Sequence, residues 1–421
     1  MTDCATDCAD DRQSDRKIQS YQHRLEAVPN SFMAWSYLSY YLAKAGRYRE
    51  AVGAYARTLQ IKSDQPRIWY NYGTVLDRLG YYSEAIRSYR AALVLSPSYL
   101  KAMYGKSKDL YRLAKYHEAL ESYDQALAFR TDAYELWYGR GKVLTKLQRL
   151  DEAVESLQKA LTLNSHAAKV WASLGQVLMY QYKDAAAIRH FDKALELAPQ
   201  DALNWIYKGF LLKRLGLYEE ALTCFDAAID LEPTVSRAWQ HRGLALINMG
   251  HYHTAYDSFK VALQCQAYDY KGWLSLAWTL EKLGEYEQAI EAYNKSLSIE
   301  PDQSFAFYRQ ARCYALLHNV HFAVEHLRRA IALHPENYMP RAMAILRCAG
   351  CKPKCSLQPC QRHRNKRYRS DTATSGTSLM THSTFYAKPI SAERNSQRSD
   401  SLGRRRLTLR KTTAPQSKTA R

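Results

Sequence analysis

Residues 202–235 read ALNWIYKGFLLKRLGLYEEALTCFDAAIDLEPTV. Two apolar stripes run through this stretch. In the first, Trp205, Gly209 and Leu212 are spaced by four and three residues, which places them on one face of a helix. In the second, Ala221, Phe225, Ala228 and Ile229 do the same. Between the stripes stands Gly216, a residue that adopts a left-handed backbone readily, and after them Pro233 stops the second helix. The stretch therefore predicts a helical hairpin. Its first helix carries a bulky ring, a gap and a leucine, a surface that a neighbouring helix can approach closely.

The same frame recurs without insertion. Counted from three residues before each ring, units begin at 32, 66, 100, 134, 168, 202, 236, 270 and 304. Trp35, Trp69, Trp137, Trp171, Trp205, Trp239 and Trp273 stand at place 4, with Met103 and Phe307 in the other two units. Place 8 is always small, and place 11 is leucine until Tyr314 in the last unit. Place 20 is alanine in all nine units, and place 24 is large, from Tyr55 to Leu327. A fixed period of this length means one supersecondary unit copied in tandem, here over residues 32–337. The seven tryptophans are expected to be buried packing. Tyr21 and Pro29 fall in register with the aromatic and the proline of a second helix, so residues 17–31 are expected to form a capping half-unit. Residues 1–16 are expected to be a flexible acidic segment, and 338–347 a closing helix.

Trp205, Gly209, Tyr218, Ala221, Phe225, Ala228 and Pro233 together resemble one complete tetratricopeptide repeat, and the resemblance extends over about 306 of 421 residues. It implies an all-α, right-handed superhelical solenoid of helix–turn–helix repeats whose first helices line a concave groove. It also implies a non-enzymatic scaffold that binds partner proteins or peptide segments in that groove. No Gly-rich phosphate loop, His-Glu-x-x-His or Gly-x-Ser-x-Gly motif argues for catalysis, and no cofactor is expected. Some members clamp a chaperone's terminal carboxylate with lysine at place 5 and asparagine at place 9. Neither residue stands at those places in any unit, so that role is disfavoured.

Places 2, 5, 9 and 12 are expected to face the groove. They supply Arg67, Lys101, Lys108, Lys142, Lys169, Lys213, Arg237, Lys271 and Arg312, against the acids Asp77, Glu135 and Glu281. The units as a whole carry 37 Lys/Arg and 32 Asp/Glu, so their acids must lie mostly elsewhere. A basic groove attracts acidic, phosphorylated or carboxylate-bearing segments. Tyr70, Tyr104 and Tyr138 add an aromatic stripe, and Phe210 and Trp278 are large apolar side chains suited to anchoring a partner.

The formal net charge of +19 belongs mostly to the C-terminal end, where residues 338–421 carry 19 Lys/Arg and 3 Asp/Glu. Residues 361–421 contain only 6 Leu, Ile, Val or Phe, too little apolar area to offset ordering entropy, so a disordered tail is expected. Its basic runs suit weak binding to nucleic acid or an anionic surface, the alternative function. Cys348, Cys351, Cys355 and Cys360 place four thiols close enough for a possible tetrahedral zinc site. Cys224, Cys265 and Cys313 are expected to fill core. With no apolar run of 18 residues and no secretory signal, a cytoplasmic protein without a membrane span is expected.

Overall fold

The computed structural model describes residues 3–348, and every regular element among them is an α-helix. α1 (Asp3–Ala27) comes first. The first three hairpins are α2 (Phe32–Lys44) with α3 (Tyr48–Ile61), α4 (Pro66–Arg78) with α5 (Tyr82–Leu95), and α6 (Leu100–Arg112) with α7 (Tyr116–Phe129). The next three are α8 (Tyr134–Lys146) with α9 (Leu150–Leu163), α10 (Ala168–Tyr180) with α11 (Asp184–Leu197), and α12 (Ala202–Arg214) with α13 (Tyr218–Leu231). The last three are α14 (Ser236–Asn248) with α15 (Tyr252–Cys265), α16 (Tyr270–Leu283) with α17 (Tyr286–Ile299), and α18 (Ser304–Leu316) with α19 (Val320–Leu333). α20 (Pro335–Cys348) closes the described chain.

Each hairpin turns at place 15, always in the left-handed region. Glycine takes it at Gly46, Gly80, Gly216, Gly250 and Gly284, with φ between 73° and 87°. Ala114, Gln148, Tyr182 and His318 take it at φ 57–61° in the other four units. A side chain there costs about 1–2 kcal/mol. The bond that holds the turn is the same in every unit: the place-16 N–H donates to the place-11 carbonyl, as in Leu217 to Leu212 at 3.0 Å and Lys115 to Leu110 at 2.9 Å.

The gap at place 8 is filled from within the hairpin. A Cβ at Gly209 would lie 2.7 Å from the Phe225 ring, and one at Gly243 would lie 2.7 Å from Phe259. The place-24 ring is thus seated where the first helix has no side chain. Phe191, Phe225 and Phe259 are fully buried there. Polar pairs then latch one unit to the next. Place 25 of one unit meets place 7 of the following one in Asp124–Arg140, Asp192–Lys208 and Asp226–Arg242, each 2.7 Å. Asn294 and Gln310 form the uncharged version at 2.6 Å.

The ladder tryptophans are not simply buried packing. All seven are half-buried, and each indole N–H donates to the carbonyl six residues earlier, over 2.7–3.0 Å. The ring packs inward while its polar edge ties down the loop that enters the unit. Trp205→Phe keeps an aromatic ring but loses that bond and part of the indole's packing, and is expected to destabilise by about 1–3 kcal/mol. An unchanged urea midpoint would show that the bond contributes nothing. Among the thiols, Cys224 and Cys313 fill core as expected, but Cys265 is exposed at the end of α15.

Every first helix packs on its own partner, on the second helix before it and on the first helix of the next unit. Successive second helices stand farther apart, their backbones out of close reach, and α5 and α7 are joined through the Arg90–Glu118 ion pair at 3.5 Å. The first helices therefore form the closely spaced inner row of a solenoid, the arrangement that gives a groove its lining. α1 starts at Asp3, well before the 17–31 half-unit. It buries Ser14, Ile18 and Leu25, the latter two in one core cluster with Leu38 of α2. α20 buries Tyr338, Ala342 and Ile345 over the last unit. Cys351, Cys355 and Cys360 and the basic tail lie outside the described residues, so the candidate zinc cluster does too.

Candidate binding surface

On the first-helix row, several units grade from exposed at place 2 to buried at place 12, while Arg237 at place 2 and Lys213 at place 12 are half-buried and Arg312 at place 9 is exposed. Arg67, Lys101, Lys169 and Lys271 at place 2 are exposed. Lys108, Lys142, Phe210 and Trp278 at place 9 are half-buried. Asp77 and Glu281 at place 12 are buried. Side chains of one row thus form a rim, a wall and a floor.

Two of the three acids are consumed inside the row. Asp77 accepts Lys108 Nζ at 3.0 Å and also binds the Arg112 guanidinium, both from the next unit. Glu281 holds Arg309 at 3.0 Å and Arg312 at 3.4 Å, and accepts the Tyr293 hydroxyl at 3.2 Å. Lys108 and Arg312 are therefore neutralised, and they differ in this from the other groove cations. The third acid, Glu135, stands at place 2 beside Tyr104. Arg67, Lys101, Lys142, Lys169, Lys213, Arg237 and Lys271 make no ion pair among the described residues.

Two of the unpaired cations share one ring across units 4 and 5. The Lys142 ammonium lies 4.9 Å from the Tyr111 ring centre and 5.6 Å from that of Tyr138. Lys169 lies 5.3 Å from Tyr138 and 5.4 Å from Tyr134. Tyr138 is thus flanked by two lysines. Burial lowers the pKa of Lys142, and the neighbouring charges of Lys146, Lys169 and Arg112 lower it further. Aromatic faces stabilise these ammonium groups only in part, so an anion arriving here meets positive charge that no internal carboxylate offsets.

The other aromatic candidates divide. Tyr70 packs edge-on to Tyr99 at 5.3 Å, and Tyr104 packs against Tyr123 at 6.3 Å, so both are engaged in packing within their own units. Phe210 has Lys213 and Arg214 each 5.5 Å from its centre and the His241 ring at 5.4 Å. Trp278 packs on the core of the last units, with Lys282 at 5.7 Å and Arg309 at 5.8 Å from its ring. Reading the groove by places 2, 5, 9 and 12 passed over His241 at place 6 and Asp109 at place 10. A polar residue where other units carry valine or leucine was the available signal for Asp109.

Among the described residues no group of three His, Cys, Asp or Glu could hold a metal ion, and no helix is long and apolar enough to cross a membrane.

Models of the tetratricopeptide repeat match residues 38–99 and 104–168, 168–201 and 202–235, and 270–303. No curated protein matches the sequence. Several solved structures are similar in fold. Pseudomonas aeruginosa pilF is 21% identical, with a TM-score of 0.46 over 51% of this chain and 99% of its own. YrrB, described as a TPR protein with an unusual peptide-binding site, is 25% identical, with a TM-score of 0.38 over 44% of this chain and 96% of its own. The Cut9–Hcn1 hetero-tetramer of the APC/C is 14% identical, with a TM-score of 0.44 over 82% of this chain and 94% of that one.

Proposed function

This chain belongs to the tetratricopeptide-repeat family, and from that premise we propose that it is an interaction scaffold whose first-helix groove binds acidic segments of a partner protein. The observation that carries this reading is the set of groove cations left without a carboxylate, above all Lys142 and Lys169 about the Tyr138 ring. Groove acids at place 12 are already neutralised from within. The net field along the row is therefore positive, and an acidic peptide gains both steering and charge-assisted hydrogen bonds. A binding role, with no catalytic step, is the role this surface supports.

The test is fluorescence anisotropy on the full chain with a glutamate-rich peptide and a lysine-rich peptide of equal length. The acidic peptide is expected to bind more tightly, with an affinity that falls as salt rises. Lys142→Met together with Lys169→Met is expected to weaken it about tenfold, or roughly 1.4 kcal/mol. Tighter binding of the basic peptide would overturn the reading.

A further inference from the structure

The seams between units can be compared place by place because the register never slips. Between units 8 and 9, place 12 and place 6 hold Glu281 and Arg309, 3.0 Å apart. Between units 2 and 3, place 12 holds Asp77, bound by Lys108 and Arg112. In both seams a floor acid is neutralised by cations of the following unit.

Between units 6 and 7 the same two places hold Lys213 and His241. Lys213 is half-buried and makes no ion pair among the described residues. Burial alone pushes its pKa down to about 8. The His241 ring is held between Phe210, at 5.4 Å, and Phe225, at 5.8 Å. Its Nδ1 is withdrawn from solvent and has no hydrogen-bond partner. Burial, Lys213 and Arg237 together hold the His241 pKa well below its ordinary value. Arg214 also lies against the Phe210 ring, but Asp184 of α11 already binds it. Lys213 and His241 thus meet at the Phe210 ring, Arg237 stands one helical turn before His241 on α14, and the Asp184 carboxylate is committed to Arg214. Half-buried cations such as Lys213 and Arg237 without a counter-ion are costly, and an anion supplied to them forms charge-assisted bonds to which the neutral His241 can add a ring N–H.

We propose that the seam between units 6 and 7 is an oxyanion subsite of the groove, in which Lys213, His241 and Arg237 take a carboxylate or phosphate group of a bound acidic peptide. The incoming group replaces the internal carboxylate that closes the seams at Asp77 and Glu281. Phe210 forms the apolar wall beside it. This subsite rests on the groove reading given above, but it lies on α12 and α14, away from Lys142 and Lys169 on α8 and α10.

The experiment uses three fluorescein-labelled peptides that differ at one central position: glutamate, phosphoserine or glutamine. Binding to the full chain is measured for the wild type, Lys213→Met and Lys142→Met. Lys213→Met is expected to weaken the glutamate or the phosphoserine peptide about tenfold and to leave the glutamine peptide unchanged. The peptide that loses more identifies the oxyanion. Removing a half-buried, unpaired ammonium is not expected to lower the thermal midpoint, so a melt of the same variant separates lost binding from lost fold. Lys213→Glu rebuilds the type of seam seen at Glu281, and is expected to raise the His241 titration midpoint read by NMR. If Lys213→Met binds both anionic peptides like the wild type while Lys142→Met weakens them, the subsite is wrong and the groove reading stands. If neither variant matters, both are wrong.

Discussion

Asp109→Val is expected to stabilise the array by about 2–4 kcal/mol more at pH 8 than below pH 4, where the protonated but still unpartnered carboxyl leaves a smaller gain of about 1–3 kcal/mol. Asp109 occupies place 10 of α6, where Val75, Val143 and Val177 stand in other units. Its side chain is completely buried, and neither carboxylate oxygen has a hydrogen-bond partner. The Arg112 guanidinium approaches only to 3.6 Å, and Asp77 already binds it. Burial raises the Asp109 pKa to about 7, against a smaller opposing pull from Lys108. A folded-state pKa above the unfolded one means that the folded protein holds its proton longer. Stability is therefore highest below the unfolded value and falls as pH rises through about 7. At roughly 1.4 kcal/mol per pH unit the full penalty is a few kcal/mol. Valine removes both the unpaired charge and the slope. Thermal melts of the two proteins at pH 4, 6 and 8 decide it: a gap that does not widen with pH would show that Asp109 finds a partner in solution.

Phe259→Ala is expected to cost about 3–5 kcal/mol, the range for deleting a fully buried ring. Phe259 has no exposed surface, and it fills the space left open by Gly243 on the facing helix. Its core cluster also contains Leu246 and Leu276, so the hole would open between two units as well as within one. Leucine stands at place 24 in units 4 and 9, and Phe259→Leu is accordingly expected to cost less than about 1.5 kcal/mol. Urea denaturation of both variants checks the order. Equal losses would mean that volume at this position does not matter.

The hairpins, their turns and their stacking were legible in the sequence because each rests on a residue that recurs every 34 positions. Place 8 was read as a gap, and the gap is where the place-24 ring sits. What escaped was of two kinds. Backbone geometry was imposed on residues that do not advertise it: Ala114 and Tyr182 turn as the glycines do because the place-16 to place-11 bond holds them there. Side chains with two chemistries were assigned only one. The tryptophans were read for their rings, and their N–H groups bind the loop.

The charged candidates show the same limit. Lys108 and Lys142 occupy equivalent places, yet one is neutralised by Asp77 and the other is not. The distinction lay in the sequence as a separation of 31 residues, close to one period, but only the helix register shows which near-period pairs touch.

In the described array no helix touches another more than two helices away along the chain. Every interface is thus a local affair between a unit and its immediate neighbours, built on one backbone register with side chains that vary from seam to seam. The chain is consequently a sentence built from interchangeable words. Removing or duplicating one whole 34-residue frame leaves grammatical joints on both sides, whereas a deletion of any other length breaks the register of all that follows. Groove length can change over generations in whole steps, and each step adds or subtracts one set of wall and floor side chains without redesigning the rest.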